Sequence, residues 1–477
     1  MDADSATSGR DAASGEVAFG DAGPTVVTSV VAGLYHACAI VNGGVQCWGR
    51  NDGKQLGNPS VGDYSTVPVP VEGLGCGVSS VCAGYHHTCA VVNGGVKCWG
   101  SNDEGQLGTA AVTGATAVPV PVPGLTNVEA IACGRDHTCA LHVGGIDCWG
   151  DNSYSELGST GVQSPGPHGV TGVFPGGSVT AIAANGHGTC AIVNGGLECW
   201  GDDTYGQLGN GVAGVNAFVP YQPPGLASGV SSVAIGDGES VCAVVNGGVQ
   251  CSGNAFYGVS GFPSEKHVFT PLPKPLDSGV QALSSGYEFT CALVNGAALC
   301  WGDNGAGQLG SGSGPYVLGL QSGVQSITTG DYFACALVNG TVWCWGWDMD
   351  GQLARGRIVG GSYLAEPVTG LRAIPSCPYN HCLDHQLNGD ETGVDCGGEC
   401  PECALGEPCA ADSDCISNAC DGESLQCVFV QCSDHRKDGD ETDTDCGGPS
   451  CGGCWNGAHC AHNFDCLSGF CSAHVCQ

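Results

Sequence analysis

Cys38-Ala39-Ile40-Val41-Asn42-Gly43-Gly44-Val45-Gln46-Cys47-Trp48-Gly49 reads as a β-hairpin. Two short apolar runs flank Asn42-Gly43, the pair preferred in a type I′ two-residue turn. With that turn, Val41 faces Gly44, Ile40 faces Val45 and Cys38 faces Cys47. Hydrogen-bonded and non-hydrogen-bonded pairs alternate outward from the turn, so the two cysteines fall on a non-hydrogen-bonded pair. Their separation there is one a disulfide tolerates.

The hairpin recurs six times. Its cysteines are Cys89 with Cys98, Cys139 with Cys148, Cys190 with Cys199, Cys242 with Cys251, Cys291 with Cys300 and Cys335 with Cys344. Trp-Gly follows the second cysteine in every copy but one, where Ser252-Gly253 stands, and Val143-Gly144 is the one departure from the Asn-Gly turn. The first cysteines lie 44 residues apart at the shortest, from Cys291 to Cys335, and 52 at the longest, from Cys190 to Cys242. A period near fifty with short strands predicts a propeller or solenoid, and seven copies fit one closed ring. A cross-strand disulfide is the better reading of each pair, because two thiolates fall short of the four ligands of a structural zinc site.

Composition agrees with turn-dense β structure: Gly 83 and only 12% charged residues in 477. The formal net charge of −34 excludes phosphate backbones and anionic membranes as natural partners, and no run is apolar enough to span a bilayer. The 34 cysteines point to an oxidising, extracellular or cell-surface location. Residues 1–24, acidic and rich in Gly, Ser and Ala, lack the basic and apolar regions of a signal peptide and read as a flexible linker.

The stretch Gly84 to Gly108, G-Y-H-H-T-C-A-V-V-N-G-G-V-K-C-W-G-S-N-D-E-G-Q-L-G, resembles the regulator of chromosome condensation repeat. That resemblance implies a seven-bladed β-propeller of four-stranded blades over residues 25–376. The founding member is a nucleotide exchange factor bound to chromatin, a role this acidic chain does not suit. The fold also hosts a bacterial β-lactamase inhibitor and secreted proteins. Glu366-Pro367-Val368-Thr369-Gly370-Leu371 resembles Pro70-Val71-Glu72-Gly73-Leu74, so 366–374 is expected to supply a missing strand of the first blade and close the ring.

Two cysteine-rich modules follow, 377–429 and 430–477. The first uses Cys382, Cys396, Cys400, Cys403, Cys409, Cys415, Cys420 and Cys427. The second repeats the spacing from Cys432 to Cys476. Each allows four disulfides of unspecified connectivity and needs them, being too small for a core of its own. Asn388 to Cys403 is similar to cysteine-rich repeats of bacterial surface and secreted proteins. Asp384, Asn388, Asp390 and Asp395 align with Asp434, Asp438, Asp440 and Asp445, and their oxygens would suit calcium; the plainer reading is a solvated acidic turn. No other cofactor is expected. Cys76, Cys82, Cys133 and Cys377 are left over: Cys82 and Cys133 pair with each other, or one ties Cys377.

His36, His87 and His137 stand in register two positions before a hairpin cysteine. They are read as packing and hydrogen bonding at blade contacts and not as metal ligands. The tryptophans at Trp48 and its equivalents are read as blade-to-blade packing. No nucleophile elbow, H-E-x-x-H motif or P-loop is present, so the chain is read as a binding or adhesion scaffold, monomeric and not an enzyme. The partner expected is a protein or polysaccharide, held by the variable loops after each Gln-Leu-Gly stretch. Phe262, Phe269 and Tyr316 are the candidate contacts. The alternative is a hydrolase or lyase with polar groups over the propeller axis, to be recognised by a carboxylate or histidine of strongly shifted pKa. A further alternative, an exchange-factor-like regulator, follows from the resemblance alone.

Overall fold

The computed structural model describes residues 25–373, apart from 144, 162, 171–177, 238–239 and 312–314. In the tail it describes 403, 408–410, 415, 420, 425–427, 471–472 and 475–476. The chain divides into two units, 1–376 and 377–477. Among its described residues the first unit is all-β, with one 3-10 turn at Phe256–Gly258, and forms a seven-bladed propeller. No helix among the described residues is long and apolar enough to cross a membrane.

The first blade sets the pattern, with β1 (Val27–Ala32), β2 (His36–Val41), β3 (Gly44–Arg50) and β4 (Tyr64–Pro70) antiparallel in that order. Asn42 and Gly43 take φ of 51° and 75°, as a type I′ turn requires. The register follows, with Cys38 opposite Cys47 and Val41 opposite Gly44.

Every hairpin cysteine pair is bonded as its facing positions predict. Cys38 bonds Cys47, Cys89 bonds Cys98, Cys139 bonds Cys148 and Cys190 bonds Cys199. Cys242 bonds Cys251, Cys291 bonds Cys300 and Cys335 bonds Cys344. Their Cα atoms lie 4.0 to 4.1 Å apart, the close approach of a non-hydrogen-bonded pair. Cys82 bonds Cys133, joining the second and third blades. Cys76 is also disulfide-bonded. Among the described residues the sixth blade has three strands, with a bridge between Leu299 and Tyr316 at its outer edge.

The β1 equivalents of neighbouring blades pack side by side and surround the axis. Between blades the chief contact is the tryptophan after the second cysteine. Trp48, Trp99, Trp149, Trp200 and Trp345 are fully buried, and each indole N–H donates to a carbonyl of the preceding blade. A buried indole needs such a partner.

Ring closure differs from the sequence expectation. Residues 360–367 are the fourth strand of the seventh blade, pairing with Thr341–Asp348. Val368 N–H then donates to Val342 O at 2.8 Å, as Val71 N–H donates to Val45 O at 3.0 Å. The likeness of 366–371 to 70–74 is real, but both stretches finish the blade that precedes them. Both ends of the propeller therefore fall at a blade boundary. The ring closes by packing: β1 lies against the strands 324–329 and 333–338, and Trp48 reaches Gln352 O at 2.9 Å. Gln46 also donates to Arg372 O at 2.6 Å.

In the tail unit Cys409 bonds Cys420 and Cys415 bonds Cys427. The aligned acidic positions from Asp384 to Asp445 lie outside the described residues.

Candidate functional site

Antiparallel alternation puts two kinds of connection on one edge of every blade. The turn from the β1 equivalent to the β2 equivalent shares that edge with the loop after Gln-Leu-Gly, and the Asn-Gly turns lie on the other. Among the described residues, backbone hydrogen bonds link the first kind around the axial mouth from the sixth blade through the seventh and first to the fourth. Leu34 N–H donates to Gly84 O at 3.3 Å, Tyr85 to Arg135 O at 3.1 Å and Arg135 to Gly186 O at 2.9 Å. Tyr287 N–H donates to Asp331 O at 3.2 Å, and Asp331 to Leu34 O at 3.0 Å. The loops are pinned at their bases: Asn51 accepts from Leu56 N–H and donates to Gly62 O, and Asn102 and Asn152 repeat the device.

In sequence, the residues of these turns differ from repeat to repeat. Four positions before the first hairpin cysteine stand Leu34, Tyr85, Arg135, Gly186, Gly238, Tyr287 and Asp331. Three before it stand Tyr35, His86, Asp136, His187, Glu239, Glu288 and Tyr332. Aromatic rings meet across blades: Tyr35 and Tyr85 centroids are 5.9 Å apart, and Tyr287 and Tyr332 5.6 Å. The Arg135 guanidinium lies 4.9 Å over the Tyr85 ring and pairs with Asp237 at 3.6 Å.

The mouth is rich in carboxyls and poor in cations. Burial pushes Asp331 up to about 8, with the Asp237 charge adding to it, while a Tyr35 hydrogen bond works the other way. Asp237 is raised by burial against the pull of Arg135. Burial lifts Asp136 to about 6. Burial opposes charge on His187, but the Glu156 hydrogen bond and the Glu156 and Asp237 charges together outweigh it and raise the imidazole. Glu156 stands where most other repeats have glutamine, and its Oε1 lies 3.2 Å from His187 Nδ1.

The three in-register histidines sit at blade contacts. Nε2 of His36, His87 and His137 lies 2.8 to 2.9 Å from Oγ1 of Thr88, Thr138 and Thr189 in the next blade. Each threonine hydroxyl donates onward to the carbonyl that also receives the tryptophan N–H, so it must accept from the histidine. The proton is therefore on Nε2, and Nδ1 is buried bare. Burial, with help from neighbouring histidines, lowers all three to about 3. His87, Cys89 and Cys133 come close enough for a metal, but both cysteines are spent in disulfides.

Phe262, Phe269 and Tyr316 are half-buried against blade cores. Phe269 has a specific duty. Gly57, Gly108 and Gly158 each lie against a tryptophan ring of the next blade, whereas Gly209 lies against Phe269. That ring fills the place left by Ser252. The exposed aromatics of these loops and the strands they enter are Tyr64, Phe218, Tyr257 and Tyr363. Aligning the repeats on their first cysteine would have exposed the two variable turn positions. They are short and lie inside an otherwise constant stretch, so attention to loop length passes over them.

The regulator of chromosome condensation (RCC1) repeat matches residues 42–91, 93–141 and 194–243, and a second form of it matches 27–55, 78–106 and 128–156. The chain thus carries RCC1 repeats built into a seven-bladed propeller. It is 28% identical over 303 residues to the ultraviolet-B receptor UVR8 of Arabidopsis thaliana, covering 61% of this chain and 68% of that protein. It is 42% identical over 89 residues to protein pim1 of Schizosaccharomyces pombe, 17% of this chain and 16% of that one. Human WBSCR16 superposes with a TM-score of 0.60 at 23% identity, over 68% of this chain and 94% of that one, which shows the fold alone.

Proposed function

We propose that this chain is an exported binding scaffold that recognises a protein partner through the face carrying the axial turns and the loops after Gln-Leu-Gly. One observation carries the reading: turns linked from blade to blade by backbone hydrogen bonds display side chains that change from repeat to repeat. Constant framework with variable display is the architecture of recognition. The side chains are of the types that dominate interface energetics, tyrosine and arginine among them. A relative named as a receptor supports recognition. A face this broad suits a protein surface better than a single polysaccharide strand. The disulfides favour an oxidising compartment, where they persist.

Affinity capture with matched variants tests this. Tyr85→Ala with Tyr287→Ala and Tyr332→Ala should lose the partner that wild type retains, while Asn93→Asp with Asn246→Asp on the opposite edge should keep it. Retention by the first and loss by the second would refute the reading.

A second reading is favoured by Asp331 and Asp237, neighbouring buried carboxyls of raised pKa over the axis. Such a pair would supply a proton donor for a hydrolase or lyase. Turnover of any glycoside, ester or uronide substrate that disappears in Asp331→Asn would establish it.

A further inference from the structure

Five residues before the first hairpin cysteine, five repeats have glycine: Gly33, Gly84, Gly134, Gly286 and Gly330. The same five repeats carry a ring two residues before that cysteine: His36, His87, His137, Phe289 and Phe333. The structure explains the link. A Cβ on any of these glycines would collide with the ring of its own repeat. The fourth and fifth repeats change both positions together, to Asn185 with Gly188 and to Asp237 with Ser240. The buried ring is gone, and a polar side chain stands at the mouth instead.

Where the rings are missing there is a cavity of about 310 Å³ between the fourth and fifth blades. Its floor includes Leu208, Ile235 and Val241, and Ser240 Oγ is fully buried there with no hydrogen-bond partner. The cations at the rim are already paired within the protein, and its carboxylate Asp202 is held by neutral donors. Arg135 meets Asp237 at 3.6 Å, His187 meets Glu156 at 3.2 Å, and Asp202 accepts from Gln207 at 2.9 Å. An anionic guest would meet the Asp202 carboxylate and would have to break one of these ion pairs. Tyr154 is 39% exposed and stacks on His187 with centroids 4.3 Å apart, and Tyr205 and Tyr287 also line the opening. Fixed aromatic rings, hydrogen-bonding groups of both kinds and no cation left free to hold an anion match a neutral polyol. The volume lies at the low end for ligand sites, roughly 300 to 1,000 Å³, and admits a single sugar ring but no peptide segment of regular structure.

We propose that the cleft between the fourth and fifth blades binds one neutral sugar unit, either free or as the end of a glycan. The site goes beyond recognition of a protein face and stands whether or not that reading holds, since it is tested without a protein partner. Full-length protein is titrated with neutral monosaccharides, followed by NMR or calorimetry, and screened on a glycan array, which separates free sugar from glycan termini. The decisive variant is Asn185→Gly with Gly188→Phe, which recreates the pair found in the sixth and seventh repeats and fills the space. It should melt at or above the wild-type temperature and bind sugar at least about tenfold more weakly, a loss of about 1.4 kcal/mol. Gly188→Phe alone would collide with Asn185 and serves only to confirm the coupling. The proposal is overturned if wild type binds no neutral sugar at millimolar concentration in either arm, if the filled variant folds and binds as well as wild type, or if only charged guests bind.

Discussion

The contact between the second and third blades and that between the fourth and fifth use the same positions, filled differently. In the first, His87 meets Thr138 at 2.9 Å, and Thr138 and Trp149 both donate to Gln106 O. The disulfide of Cys82 with Cys133 ties the two blades covalently. In the second, Gly188 replaces histidine, Val241 replaces threonine and Ser252 replaces tryptophan. Ser252 Oγ still donates to Gln207 O at 2.7 Å, and Phe269 takes up the ring volume beside Gly209. A repeat can therefore lose its tryptophan if the carbonyl keeps a donor and the volume is refilled. Where Gly188 leaves volume unfilled, a cleft opens.

Substitutions should reproduce this asymmetry. Trp149→Ala removes a fully buried ring and the donor to Gln106 O, and should cost about 3–5 kcal/mol. Its counterpart Ser252→Ala should cost only about 1–3 kcal/mol, the penalty of a lost buried hydrogen bond. Denaturant unfolding of both variants checks the order. Cys82→Ser with Cys133→Ser opens a loop of 51 residues. It should cost at most about 4 kcal/mol on the chain-entropy account. A loss confined to the second and third blades, read by hydrogen exchange, would sharpen the comparison.

Acid should strike the histidine side first. The three buried histidines titrate near 3 in the folded chain and near 6.5 unfolded, so between those values only the unfolded chain gains their protons. Stability should fall on acidification from about pH 6.5 downward, by about 1.4 kcal/mol per histidine per pH unit. His36→Phe, His87→Phe and His137→Phe, the residue used in the sixth and seventh repeats, should together flatten that limb of the pH–stability curve. Asp331 acts in the opposite sense. Its folded carboxyl keeps its proton up to about 8, so its contribution is full below pH 4 and is lost as pH rises to about 8. Asp331→Asn should flatten the alkaline side and leave the acid side unchanged.

The hairpins were legible because Asn-Gly dictates turn type, and turn type dictates which cysteines face each other. The tryptophans were legible as blade contacts because an apolar ring recurring at one strand position has to pack somewhere. Blade phase was not legible. Residues 70–74 lie between two strands in sequence, and nothing local says which blade they finish. The candidate contacts Phe262, Phe269 and Tyr316 looked like surface because they lie in variable segments. Phe269 packs inward because Ser252, seventeen residues earlier, left a gap. The coupling of Gly84 with His87, and of Asn185 with Gly188, was present in the letters, but its meaning needed the distance between a Cβ and a ring.

The binding face is tested most directly by hydrogen exchange of the full-length protein with and without the partner that affinity capture retains. Slowed exchange is expected in the axial turns near 33–36, 84–87, 286–289 and 330–333 and in the loops that follow Gln-Leu-Gly. Slowed exchange at the Asn-Gly turns, or only in residues 377–477, would contradict it.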